Sequence, residues 1–136
     1  MANQYPIRIG GRSALLLRVA FGVTGDNAWA ALDDDEVVIH FGRFEFRAPV
    51  ANITRWRIEG PWRWITAIGV RHSFRGGDIS FAGSARGGVR LDLRVPQFWH
   101  RLRVPAVYAG VEDLEGFAAA LTRLGIPGED VRTLRA

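Results

Sequence analysis

The chain contains no cysteine and no lysine. Without cysteine there is no disulfide framework, no thiolate nucleophile and no cysteine-held metal. A reducing compartment fits best, so a cytoplasmic protein is expected. Long apolar runs are also missing. The longest, Ala14 to Phe21, is interrupted by Arg18 and is too short to span a bilayer. The N-terminus lacks a charged-then-apolar leader pattern. These absences predict a soluble protein, or at most one peripheral to a membrane. Internal repeats, low-complexity tracts and interdomain linkers are absent as well.

What is present is arginine. All 18 basic residues are arginine, against 14 acidic ones, and the formal net charge is +4 over 136 residues. The arginines run from Arg8 to Arg135 without concentrating on one element, so the composition argues against a nucleic-acid footprint. The length fits one domain, able to bury roughly two thirds of its unfolded surface without disulfides or metals.

Hydrophobic spacing is dominated by period two, the mark of half-buried strands. Val89, Leu91, Leu93 and Val95 alternate with Arg90, Asp92 and Arg94. The same alternation runs through Val37 to Phe41, Phe44 to Arg47, Asp78 to Phe81 and Arg101 to Val104. Ile65 to Val70 is apolar on both faces and reads as a more buried strand. Leu15 to Phe21 also keeps period two and is read as a strand, a short helix being the alternative. Breaks fall at Asp33-Asp34-Asp35, Gly42-Arg43, Pro49, Gly60-Pro61, Arg75-Gly76-Gly77 and Gly83 to Gly88. These short, evenly spaced strands predict an antiparallel sandwich or partly open barrel. One segment follows the other period: Leu114, Phe117, Ala118, Leu121 and Leu124 predict a helix over 114–124. Asp113 is its cap, with Gly125 and Pro127 beyond its end. The tail from Ile126 has little to bury.

Several antiparallel strands closed by one C-terminal amphipathic helix is the layout of a pleckstrin-homology-like (PH-like) domain. The chain resembles bacterial PH-like proteins in Val37 to Gly42, Pro49 to Ile53, Gly60 to Trp64 with Ala67 to Arg71, and Val111 to Phe117 with Ala120-Leu121. The resemblance implies a mainly β fold with one C-terminal α-helix, an antiparallel barrel or sandwich that the helix caps. It places the domain at 28–125, with 1–27 packed on it and 126–136 as a tail. It also implies a non-enzymatic binding module. The usual lipid site of such domains is not carried over, because the loop joining the first two core strands is acidic here, Asp33-Asp34-Asp35.

No catalytic constellation emerges. His40, His72 and His100 lie far apart in sequence and read as surface or hydrogen-bonded histidines. Serines 13, 73, 80 and 84 lack a nucleophile elbow. Gly83 to Gly88 lacks the lysine and the following helix of a phosphate loop. The acidic triplet lacks the spacing of a calcium loop. No cofactor, metal ligand or catalytic residue is predicted.

Two aromatic–basic clusters remain, Arg55 to Trp64 and Phe98-Trp99-His100-Arg101. On the strand Ile53 to Glu59, Trp56 shares a face with Ile58 and reads as core, leaving Arg57 exposed. Trp62, Arg63 and Trp64 fall near a turn. Phe98 and Trp99 read as loop residues, either lids over an open barrel end or contacts for a partner. The candidate contact residues are Arg57, Trp62, Arg63, Trp64, Trp99 and Arg101. The expected partner is another protein or a second copy of the chain, the alternative being an anionic membrane surface. Nucleic acid is disfavoured, and a small-molecule ligand is left open.

Overall fold

A strand with one buried face needs an apolar residue at every second position, and segments of that kind sort here into two sheets. The computed structural model describes residues 3–10, 14–23, 27–60, 69–72, 79–82 and 87–131. In chain order these hold β1 (Asn3–Pro6), α1 (Ala14–Phe21), β2 (Ala28–Leu32), β3 (Glu36–Phe41) and β4 (Phe44–Pro49). A 3-10 turn (Val50–Asn52) leads into β5 (Ile53–Glu59), β6 (Gly69–His72), β7 (Ile79–Ala82), β8 (Gly88–Trp99) and β9 (Leu102–Ala109). Helix α2 (Leu114–Arg123) and β10 (Gly128–Asp130) complete the order.

The first sheet has the order β1-β2-β3-β4 and is antiparallel throughout. The second has the order β10-β5-β8-β9-β7-β6, with parallel pairs at β10–β5 and β7–β9. The architecture is therefore mainly β with a helix near the C-terminus, as the spacing predicts. Of the expected sandwich or partly open barrel, no closed barrel is formed: the sheets stay separate ladders.

The inward residues supply one shared core. Val37, Ile39, Phe41 and Phe46 from the first sheet meet Ile79, Phe81, Val89 and Leu91 from the second, all at 2% exposure or less. Phe81 is the pivot, its ring 6.2 Å from Phe41 and 6.4 Å from Phe46. Each such side chain contributes about 1.5–3 kcal/mol on leaving water.

Helix α2 follows its sequence signals. Asp113 Oδ1 accepts from the Gly116 amide at 3.0 Å, Phe117 and Leu121 are fully buried, and Gly125 takes a φ of 87° after the last turn.

Three expectations change. The segment over 15–21 is helix α1, not a strand, because Leu17 is buried while Val19, which period two would put on the same face, is 74% exposed. Ile53 joins the core although strict alternation puts it with Arg55 and Arg57. A register shift between Ile53 and Arg55 turns it inward. The tail is also anchored: Ile126 is 4% exposed, Gly128–Asp130 pair with β5, and the Trp56 amide donates to Pro127 O at 3.0 Å. The Ile65 to Val70 strand begins only at Gly69 among the described residues, 61–68 lying outside them.

The β8–β9 ladder is locally interrupted. Between the pairs Asp92↔Ala106 and Gln97↔Val104, β8 advances five residues while β9 advances two. This bulge contains Pro96, which has no N–H to give a ladder. Asn52 takes the place of a neighbouring strand there. Its Nδ2 donates to Val95 O at 2.9 Å and its Oδ1 accepts from the Val95 amide at 2.9 Å. Elsewhere among the described residues the sheets are joined by the bridge Ile7↔Val111.

Candidate functional site

The β8–β9 hairpin ends in a two-residue turn. Trp99 pairs with Leu102, and His100 and Arg101 between them have φ of 47° and 70°. Two successive positive φ values define a type I′ turn, which normally takes Asn-Gly. Neither residue here is glycine, so the turn holds backbone strain.

Trp99 is a strand residue, not the loop residue the sequence suggests. Its indole lies 5.6 Å from Phe81, edge to face, and 5.9 Å from Phe44. Its Nε1 donates to Glu45 O on β4 at 2.7 Å. Trp99 thus packs between Phe44 of β4 and Phe81 of β7. The outward neighbour is Phe98, 78% exposed, with Arg103 as its cross-strand partner. Arg101 and Arg103 are exposed and make no ion pair among the described residues. From Leu93 to Val111 the chain carries three arginines and one histidine and no acid.

Phe98 is the residue that the sequence reading did not single out. The available signal was alternation: a strand that turns Trp99 inward must turn Phe98 outward. Treating the segment after Pro96 as a loop concealed it.

Arg57 belongs to a second cluster, on the outer face of β5 and β8. Asp92 accepts from Arg90 Nε through Oδ1 and from Arg55 Nε through Oδ2, both at 2.9 Å. Arg57 Nη2 stands 3.8 Å from the same Oδ2. Burial pushes the Asp92 carboxyl up. The hydrogen bonds from Arg90 and Arg55, with the charges of Arg90 and Arg57, outweigh burial and hold it below the usual carboxylate value.

Trp56 is half-buried against the core, in keeping with a packing role. Its Nε1 donates to both Thr122 Oγ1 and Ile126 O at 3.2 Å, tying β5 to α2 and to the chain beyond it. Beside it runs an open groove of about 480 Å³ between α2 and β5, floored by Trp56, Ile58, Ala118 and Ala119. Trp62, Arg63 and Trp64 lie outside the described residues, so Trp99 and Arg101 meet at the hairpin while Arg57 stands apart on the sheet face.

The histidines are dispersed. His40 stacks on Trp29 at 5.0 Å and 10°, with Nδ1 3.8 Å from Glu45 Oε2, whereas His100 occupies the hairpin turn. Among the described residues no three His, Asp or Glu side chains come together as metal ligands. Asp33 Oδ1 accepts from the amides of Asp35 and Glu36 at 2.8 Å, closing the acidic turn on itself. No helix among the described residues is long and apolar enough to cross a membrane. Comparison with protein-family models, with curated proteins and with solved structures finds no match.

Proposed function

We propose that this chain is a non-catalytic binding module, of the PH-like kind its segment order resembles, that engages an acidic protein surface through the β8–β9 hairpin. The observation that carries the reading is Phe98, 78% exposed on a strand whose next residue, Trp99, is packed and hydrogen-bonded. An apolar anchor on a rigid support, flanked by Arg101 and Arg103, has the composition of an interface hot spot. The chain carries a complementary surface of its own. Asp34 and Asp35 are exposed at the β2–β3 turn, and a second copy would present them.

Light scattering over a concentration series at low salt tests self-association. The expected result is a mass that rises with concentration in the parent chain. It should stay monomeric in Phe98→Ser/Arg101→Glu and in Asp34→Asn/Asp35→Asn. A monomer at every concentration ends the self-association form of the reading.

The same exposed Phe98 beside arginines favours a second reading, peripheral binding to an anionic membrane. Co-sedimentation with vesicles containing phosphatidylserine decides it: binding lost in Phe98→Ser supports it, and a parent chain that stays in the supernatant at low salt removes it.

A further inference from the structure

An apolar anchor needs an apolar receptor. Phe98 is 78% exposed, and Val95 of the same strand is 62% exposed. Asp34 and Asp35 of a second copy offer charge but no apolar floor, since Leu32 at the start of their turn is buried. The open groove between α2 and β5 has such a floor in Trp56, Ile58, Ala118 and Ala119. Its volume is about 480 Å³. A cavity of about 150 Å³ takes up benzene, so a phenyl ring fits with room for the strand that carries it.

Phe98 does not fill the groove of its own chain. Trp99, the next residue, packs inward on Phe81, so Phe98 faces away from the core. Trp56 and Ile58 belong to the inward face of β5. A contact between the two is therefore a contact between molecules.

The two surfaces also carry opposite charge. From Leu93 to Val111 there are three arginines and no acid, whereas from Glu112 to Val131 there are five acids and one arginine. Glu129 stands on the outer face, opposite Arg57. Within the groove the balance is Glu115 and Asp130 against Arg123, a net negative charge among the described residues. Glu115 and Asp130 have contacts inside the chain, so the contrast is between two surface fields rather than between unpaired groups.

We propose that the α2–β5 groove receives Phe98 of a second copy, with Arg101 and Arg103 set against the acids of α2 and β10. The inference rests on the hairpin reading and names the receptor for its anchor. Knob and groove are different patches, so one chain can offer either half of the contact.

Two variants separate the halves. Phe98→Ser removes the knob and keeps the groove, whereas Ala119→Arg fills the groove and keeps the knob. Ala119 is exposed on α2, so its replacement leaves the core intact. In light scattering at low salt, each variant alone should associate roughly thirtyfold more weakly than the parent, the loss of one anchor residue. An equimolar mixture should associate more strongly than either variant alone, because one intact knob then meets one intact groove. Added salt should weaken association of the parent. Association lost in Phe98→Ser but kept in Ala119→Arg, or a mixture no stronger than its components, overturns the groove and leaves the hairpin reading standing. A parent that stays monomeric, or a Phe98→Ser variant that associates like the parent, overturns the inference together with the self-association form of that reading. One readout needs no variant. The amide resonances of Ala118, Ala119 and Thr122 in the parent should shift with concentration while that of Ile39 in β3 does not. Groove resonances that stay in place as the chain associates also overturn the inference.

Discussion

The indole of Trp99 donates to the main-chain oxygen of Glu45 at 2.7 Å, joining β8 to β4, two strands that share no ladder. The bond puts a side chain where a closed barrel would put a backbone. Trp99→Phe keeps the ring and removes the donor, and should cost about 1 kcal/mol. Trp99→Ala also removes the contacts with Phe44 and Phe81 and should cost about 3 kcal/mol. Urea denaturation with both variants reads the difference.

The turn beneath Phe98 should be improvable. His100 and Arg101 occupy left-handed backbone at a cost that asparagine and glycine do not bear. His100→Asn with Arg101→Gly should raise stability by about 1 kcal/mol. The same change removes a cation from the proposed interface, so binding should fall as the melting temperature rises.

Gly128 passes against Trp56 so closely that an added Cβ would overlap the indole and the Trp56 main-chain oxygen. Gly128→Ala should therefore detach β10 from β5. The amides of Trp56 and Val131, which bond across this junction, should lose protection from hydrogen exchange, while those of β3 keep theirs.

Asp92 predicts an acid response. Its carboxyl sits below the ordinary 3.8 in the folded chain, so it contributes stability above that pH. The contribution is lost as pH falls through the lowered value. Asp33, lowered by the amides of Glu36 and Asp35, adds to the same window. Asp92→Asn should lower stability at neutral pH and flatten the decline below about pH 4 without abolishing it. Denaturation midpoints at a series of acidic pH values measure this.

Where alternation was uninterrupted, as over Val89 to Leu93, the sequence identified both strand and face. Helix α2 was legible in its bounds, its Asp113 cap and its Gly125 end. Two kinds of feature were not. Leu15 to Phe21 satisfies both periods over so short a span, and only the burial of Leu17 against the exposure of Val19 decides between them. The anchoring of Ile126 to Val131 depends on Trp56, more than sixty positions earlier, and long-range pairing leaves no periodic trace. For the candidate contacts, the sequence located the aromatic–basic segment at the β8–β9 hairpin and named Trp99, which is packed, rather than Phe98, which is exposed. The bulge at Pro96 returns the chain to a strand, which turns Trp99 in and Phe98 out. The Arg57 cluster was invisible as a cluster, because Arg55, Arg90 and Asp92 come together only through the β5–β8 register.

The outer edge of β4 is occupied by side chains rather than by a strand: Gln97 Nε2 donates to Arg47 O at 2.8 Å, as Trp99 does to Glu45 O. An uncovered edge of this kind is a template for intermolecular strand addition. Gln97, Trp99 and the Asn52 amide that holds Gln97 at 3.0 Å thus guard the protein against aggregation. Loss of that guard would appear first as a shorter soluble lifetime at high concentration, before any change in the core.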